Sequence, residues 1–308
     1  MLLALSACGS SSGSTNAGSG GSATDIAIAY SQPIDYQVAK IAVDRGYFRK
    51  NGLNVTLKSA TTGAQILALV ASDQIQFGQM NQQIILNAYK KGTDVRFCPM
   101  GSQLQRTPDT ASIAAITVAS TGIKSAADLK DKTIAVNALA TAYTDVTQEM
   151  LDRNGVDPNS VKIVVVPFNL MLQALKQGRV QAAVVQSPYL GQALDGGATV
   201  VDYPTNYLAE DTLWTSCFVL ASYAKAHPDI VKKYAAAMKD AVAYANKNPV
   251  DAAKLAATAA SVPFVKNNRY PVWVDHVEAS SLQNWVDLMN KYQNAGLKID
   301  AASMIVGQ

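Results

Sequence analysis

The sequence predicts an α/β chain made of two α/β units in series. Three observations carry that reading. From Thr24 onward, short apolar runs alternate with helical stretches closed by glycine, which is the rhythm of βαβ units and a parallel sheet. The rhythm restarts after Ser125, so a second unit follows the first. Finally, hydrophobic residues make up 49% of 308 residues and charged ones 16%, enough apolar content for two cores of ordinary size.

In the first unit, Asp25–Tyr30 reads as a strand and Asp35–Arg45 as a helix with Val38, Ile41 and Ala42 on one face, closed by Gly46. Asn54–Ser59 is a strand, Gly63–Ala71 a helix, Ile75–Gly78 a short strand and Gln82–Lys91 a helix ended by Gly92. Val95–Met100 and Ile113–Ala119 add two strands. In the second unit, Ser125 to Asp128 resembles a capping box with Asp in the place of the usual Glu or Gln. Thr133–Val136, Lys162–Val166 and Ala182–Val185 are strands, separated by helices at Ala142–Arg153 and Leu170–Gln177. A weak internal echo joins the units: Leu67–Gly78 and Leu172–Ala183 are each a helix, a polar turn and a short strand, with Gln76 opposite Gln181. After Tyr203 come a strand at Trp214–Leu220 and helices at Asp229–Lys247, Val250–Ala259 and Glu278–Ala295, with no further βαβ rhythm. That part is expected to pack on the first lobe.

Composition excludes several classes. A net charge of +3 lacks the concentrated basic face of a nucleic-acid binder. Two histidines and three cysteines exclude most His- or Cys-built metal sites and a disulfide-rich scaffold, and nothing calls for a cofactor. A mean hydropathy of +0.05 and no long apolar run exclude a transmembrane bundle.

The N-terminus is informative in another way. Leu5-Ser6-Ala7-Cys8 resembles a bacterial lipobox, in which small residues admit a peptidase just before the cysteine that becomes lipidated. Only seven residues precede Cys8 and none is basic, so a longer leader is expected upstream. Eleven of the fourteen residues from Gly9 to Ser22 are Gly or Ser, a flexible coil with a reach of ~20 Å. A tether between lipid anchor and folded domain needs that property. Nucleophile-elbow and dinucleotide patterns inside this segment lack a strand before and a helix after, so they are coincidences of composition.

The run Ala39-Lys40-Ile41-Ala42-Val43-Asp44-Arg45-Gly46-Tyr47-Phe48-Arg49-Lys50-Asn51-Gly52-Leu53-Asn54-Val55 resembles a signature of the solute-binding proteins of nitrate, sulfonate, taurine and thiamin-pyrimidine importers. Ser72–Gly78, Ala126–Val136 and Pro228–Ala253 resemble further motifs of that family in the same order, over about residues 24–260. The chain departs from the family pattern at Gln76 and Gln181, where Asp is usual, and at Asp73 and Asp131, where Gly is frequent. The family's Asp positions are expected to brace the sheet edge rather than touch ligand.

The resemblance implies a type II periplasmic-binding-protein fold: two α/β lobes, joined by two crossovers, closing on a ligand. Residues 1–23 would be leader remnant, lipobox and tether. Lobe 1 would comprise 24–118 plus 205–308, and lobe 2 would comprise 119–204, with crossovers near Ser120 and Tyr203. It further implies a monomeric extracytoplasmic protein, lipid-anchored through Cys8, that is not an enzyme and delivers a small solute to an ABC permease with its ATPase. Two alternatives remain beside this. One is an enzyme on the same fold, related to thiamin-pyrimidine synthases, whose Cys-rich iron motif and catalytic His this chain lacks. The other is a ligand-sensing domain.

Ligands of open α/β sheets sit beyond the carboxyl ends of the strands, where helix N-termini present free N–H groups. The candidates are therefore Tyr30, Ser31 and Gln32 after the first strand; Thr61, Thr62 and Gly63 at a helix start; Gln79 and Asn81 after the third strand; Asn137 and Thr141 before the second unit's first helix; Phe168; Gln186; and Trp214 near the second crossover. Ser, Thr and Asn in such places also serve as helix caps. Tyr30, Tyr36 and Tyr143 are either half-buried aromatics or cleft lining, and Asp35 either starts a helix or meets an amine. With no Lys or Arg at these strand ends, a neutral or zwitterionic organic molecule suits the set as well as an oxyanion does. Cys98 and Cys217 fall on predicted first-lobe strands. An extracytoplasmic site permits a disulfide between them, but spacing cannot show proximity, and buried thiols are the default expectation.

Overall fold

Two sheets form because two sets of apolar strands are interrupted by polar, glycine-closed helices. The computed structural model describes residues 23–31, 37–60, 62–103, 108–259, 261, 263–264 and 271–307. Cys8 and the Gly/Ser segment, Gln32, Asp35, Tyr36 and Thr61 lie outside the described residues, as does the side chain of Ser31.

The chain runs β1 (Thr24–Ser31), α1 (Val38–Asp44), α2 (Tyr47–Lys50), β2 (Leu53–Ala60), α3 (Gly63–Ala71), β3 (Phe77–Asn81), α4 (Gln82–Lys90) and β4 (Val95–Gln103). It continues through β5 (Ile113–Val118), β6 (Thr133–Val136), α5 (Ala142–Arg153), β7 (Lys162–Val165), α6 (Phe168–Lys176), β8 (Ala182–Gln186), α7 (Tyr189–Asp195) and β9 (Ala198–Asp202). It returns as β10 (Leu213–Leu220), α8 (Ala221–Ala226), α9 (Pro228–Lys247), α10 (Pro249–Ala259), β11 (Val272–Val274) and α11 (Ala279–Gln293).

The first sheet has the order β11-β4-β10-β3-β1-β2 and the second β7-β6-β8-β5-β9. β1 pairs in parallel with β2 and β3, and β6 with β7 and β8. One antiparallel strand sits inside each sheet, β10 in the first and β5 in the second. Each is the strand by which the chain enters from the other lobe. This corrects the expected boundary. Ile113–Val118 was expected in lobe 1, with the crossing near Ser120. Its residues instead bond to β8 and β9, and the crossing precedes Ile113. All six residues of β5 are buried. A strand apolar on both faces carries no alternation to tell which sheet it joins.

Local chemistry explains several turns. Gly46 stands between α1 and α2 at φ 73°, a conformation free of Cβ strain only for glycine. Asp73 and Asp131 also have positive φ, 57° and 60°. That accounts for glycine being frequent at both places in the resembling family, since Asp is one of the few side chains that tolerates this region. The capping box forms as expected: the Asp128 carboxylate accepts from the backbone N–H of Ser125 and of Lys124, each at 2.9 Å. Gln76 and Gln181 hold equivalent places. Gln76 Oε1 accepts from Ala27 N at 2.8 Å, and Gln181 Oε1 from Thr133 N at 3.1 Å. Both backbones also reciprocate, Gln76 N to Ala27 O and Gln181 N to Thr133 O. The pair ties each third strand to its neighbour, as bracing residues should.

Cys98 and Cys217 are directly opposite on β4 and β10 and form a disulfide, Cα–Cα 5.1 Å. The expectation of free thiols is therefore overturned; the antiparallel register brings together two residues 119 apart in sequence. They lie in the apolar layer between the first sheet and α1, α9 and α10, with Phe48, Phe77 and Tyr234. A second apolar layer runs without interruption from Trp214, Phe218 and Trp285 in the first lobe to Ile134, Val146 and Leu151 in the second. The lobes are thus in contact.

Candidate ligand-binding site between the lobes

Four strand ends and one return strand meet where the lobes face each other. From the first lobe, Asn81 ends β3 and opens α4. Its Oδ1 accepts from Gln83 N at 2.9 Å, and its Nδ2 donates to Trp214 O at 2.6 Å. The cap thus also anchors Trp214, which is 2% exposed. Trp214 touches Trp285 of α11 with centroids 5.7 Å apart, and meets Tyr143 of α5 edge-on at 5.0 Å. Tyr143 meets Phe168 edge-on at 5.4 Å, and Phe168 stacks on Tyr189 at 5.8 Å. An aromatic row therefore crosses from one lobe to the other, and edge-to-face pairs of this kind contribute about 0.5–1.5 kcal/mol each beyond area burial. The Tyr143 hydroxyl donates to Gln186 Oε1 at the end of β8.

Beside this row stand polar atoms without a protein partner. Asn137 Oδ1, Ser187 Oγ and Gln83 Oε1 are buried and accept no hydrogen bond from the described residues. Leaving such a group unsatisfied costs about 1–3 kcal/mol. Two are amide oxygens, which only accept, and one is a hydroxyl, which accepts or donates, so the set suits a solute that carries hydrogen-bond donors. The flat apolar walls suit a carbon skeleton between its polar ends.

The remaining predicted residues divide. Phe168, Gln186, Asn81 and Trp214 are brought together here, and Asn137 follows β6 on the way into α5. Tyr30 is buried in the shared apolar layer at the end of β1, and Ser31 pairs with Ala60 through its backbone. Thr62 is exposed and caps α3, accepting from Gln65 N at 3.3 Å. A Cβ on Gly63 would meet Ile84 Cδ1 at 3.3 Å and Met80 Cε at 3.6 Å, so its bareness serves the packing of α3 on α4 rather than a ligand. Thr141 opens α5 without capping it; its hydroxyl donates to Ala138 O at 3.0 Å. Gln79 points away from this row, although its Oε1 too is buried without a partner among the described residues. It is fully buried, and its Nε2 donates to Tyr234 Oη at 3.3 Å inside the first lobe's α9 layer. Strand alternation puts it on the same face as Phe77, away from α4.

The reading of strand ends missed the groups that join the lobes. Asp145 of α5 is 0% exposed. Its carboxylate accepts from Gln83 Nε2 at 2.6 Å and from Gln293 Nε2 at 2.7 and 2.9 Å. Burial pushes its pKa up to about 6, only partly offset by the hydrogen bonds from Gln293 and Gln83. One turn on, Glu149 accepts from Lys291 Nζ at 2.8 Å, Tyr292 Oη at 2.7 Å and Arg153 Nε at 2.7 Å. Burial alone would raise the Glu149 carboxyl, but those three hydrogen bonds hold it below its ordinary value. The signal was present in the sequence: Ala142, Asp145, Val146, Glu149 and Met150 share the buried face of α5, and two acids on an apolar stripe need partners.

A cavity of 310 Å³ lies nearby, between α5, α11 and the second return, lined by Glu149, Arg153, Tyr207, Leu208, Asn284 and Lys291 among others. Its polar groups are engaged with protein: Asn284 donates to Thr212, and Tyr207 to Asp202. The aromatic row, with its unmatched oxygens, is the better candidate site. Among the described residues no group of His, Cys, Asp and Glu is placed to hold a metal ion, and no helix is long and apolar enough to cross a membrane.

Two α/β lobes, joined by two crossings and enclosing a polar and aromatic site, define a periplasmic-binding-protein fold. Residues 37–252 match the family described as NMT1/THI5 like, and the chain belongs to that family. It is 26% identical over 223 residues to the taurine-binding periplasmic protein of Escherichia coli (strain K12), covering 71% of this chain and 66% of that protein's length. The crystal structure of the periplasmic aliphatic sulphonate binding protein SsuA from Escherichia coli superposes with a TM-score of 0.75 at 17% identity, over 92% of each chain. The desulfurization enzyme DSZB superposes at 0.69 with 13% identity, over 92% of this chain and 96% of that one. The fold is thus shared by binding proteins and by an enzyme.

Proposed function

We propose that this chain is an extracytoplasmic solute-binding protein, which closes its lobes on a small organic molecule or oxyanion and delivers it to an ABC importer. The observation that carries this reading is the interlobe site itself. Asn137, Ser187 and Gln83 offer unmatched buried oxygens beside Trp214 and Tyr143, and they come from both lobes. Capture between two lobes is what such a division of groups serves. The lobes in this reading are residues 23–103 with 213–307, and residues 113–202. The taurine-binding relative places amino-sulfonates first among solutes to try, since an ammonium supplies the donors these oxygens lack.

The enzyme reading finds less support. Both described cysteines are joined in the disulfide, and His276 is an exposed side chain beside Asp275. Neither provides an activated nucleophile. Anchoring through Cys8 belongs to the same proposal: replacing Cys8 by Ser in a full-length gene should release the protein from membranes. A thermal-shift series with taurine, alkanesulfonates, nitrate, pyrimidines and small aromatic acids tests the central reading. A true solute at 100 times its Kd should stabilise the folded protein by about 2.7 kcal/mol. No stabilisation by any small solute, with turnover of one of them, would replace delivery by catalysis.

A further inference from the structure

Among the described residues, the carboxyl of Asp145 is the one buried acid that reaches across the lobes without a cation to meet it. It is carried by α5 of the second lobe. Its donors, Gln83 and Gln293, both belong to the first. α11 is fixed to the first lobe: Trp285 Nε1 donates to Leu213 O at 2.9 Å, and Ser281 Oγ bonds Leu213 N and Gln82 Oε1. Separating the lobes therefore withdraws Asp145 from both amides into water.

Among the described residues, the charged groups packed around α5 are engaged elsewhere. On α5 the neighbouring acid, Glu149, is engaged by Lys291, Tyr292 and Arg153, and Asp152 by Lys291. α11 turns Lys291 and Tyr292 to those acids and gives Asp145 only Gln293. α4 gives it only Gln83. The second return keeps Asp202 and Tyr207 on Asn154, near the other end of α5. The turns that pack on α5 keep Asp128 on Ser125 and Asp157 on Asn159.

We propose that Asp145 is a positioning residue for lobe closure, a latch that holds the closed cleft and tightens when its carboxyl takes up a proton. The proposal rests on the solute-binding reading and names how that site is regulated. In the closed form an ionised Asp145 carries an uncompensated charge in a dry interface. A protonated Asp145 carries none. The sign follows. An acid whose pKa is higher closed than open binds more protons when closed, so acidification favours closure. With about 6 in the closed form and the ordinary 3.8 once exposed, affinity rises about tenfold between pH 7.5 and pH 5.0.

The test titrates taurine calorimetrically at pH 5.0, 6.0 and 7.5; its sulfonate and ammonium keep their charges throughout. The wild type should bind about tenfold tighter at the acid end. Asp145→Asn, which imitates the protonated group, should bind at every pH as the wild type does at pH 5.0. Gln293→Met, which removes donors to the carboxylate, should move the midpoint of the profile to higher pH. Melting temperatures on the same samples separate structure from latching. A wild-type Kd flat in pH, or equal pH slopes in wild type and Asp145→Asn, overturns the latch even if the melting temperatures differ. If taurine binds neither protein at any pH, the amino-sulfonate assignment falls, and small-angle scattering of the ligand-free proteins decides the latch. Its support is a radius smaller at pH 5.0 than at pH 7.5 in the wild type and invariant in Asp145→Asn; an invariant wild-type radius overturns it.

Discussion

Tyr143 reaches Trp214 across the lobes and Phe168 and Gln186 within its own, so paired substitutions separate closure from stability. Its ring meets Trp214 of the first lobe at 5.0 Å and Phe168 of the second at 5.4 Å, and its hydroxyl donates to Gln186, also of the second. Tyr143→Phe keeps both ring contacts and loses the intralobe hydrogen bond to Gln186. It should cost about 0.5–1.5 kcal/mol of stability and leave Kd nearly unchanged. Tyr143→Leu loses the ring contacts too. The Phe168 contact exists whether the lobes are open or closed, so its loss registers in stability. In the proposed closure the Trp214 contact forms only when the lobes come together. Its loss, about 0.5–1.5 kcal/mol, weakens binding roughly 2- to 12-fold. Urea unfolding and calorimetric titration of the solute found by thermal shift measure the two quantities on the same samples. A double-mutant cycle with Trp214→Leu should return a coupling of that size in Kd. The reasoning fails if Tyr143→Phe loses as much affinity as Tyr143→Leu, or if the cycle shows no coupling.

Three further outcomes are expected. Replacing Cys98 and Cys217 together by Ser opens a loop closed over a sequence separation of 119, and chain entropy puts the cost near 5 kcal/mol, read from urea unfolding with taurine affinity measured alongside. Gln76→Ala and Gln181→Ala each orphan one backbone N–H, of Ala27 and Thr133, and should each cost about 1–2 kcal/mol, additively because they lie in different lobes, without altering Kd. Lys291→Ala removes a donor from Glu149. A carboxylate held below its ordinary 4.5 contributes stability that is present above that value and lost as pH falls through its folded pKa, so the variant's acid unfolding limb should move to higher pH.

The elements most readable in the sequence were those whose boundaries are chemical. α5 and α9 begin and end within a residue or so of the expected positions, because Gly and Pro punctuate their flanks. α6 begins at Phe168, two residues before the expected Leu170, since Pro167 sets its first turn. β9 and β11 were not foreseen. Ala198–Asp202 and Val272–Val274 are short and lie at sheet margins, where a strand needs neither a long apolar run nor strict alternation. The lobe assignment of β5 is a different failure. Its sequence describes a buried strand correctly, yet only tertiary pairing decides which of two similar sheets receives it.

The site was legible by position but not by direction. Strand ends pointed to Asn137 and Gln186, because the carboxyl edge of a sheet is where α/β folds leave room, and the second crossover pointed to Trp214. The same rule selected Gln79, one residue out of phase, whose side chain turns to Tyr234. It could not select Asp145, which stands in the first turn of a helix rather than at a strand end. Gln76 and Gln181 show the complementary case. They depart from the resembling family's Asp, yet their side-chain oxygens meet the neighbouring strand's N–H in both lobes. An amide oxygen accepts that hydrogen bond as a carboxylate oxygen does, and it does so without a charge. The change therefore preserves the bracing and removes two negative charges from the rims of the sheets. What distinguishes this chain is better sought where charge is retained under burial, at Asp145 and Glu149, than where it has been exchanged for an amide on the surface.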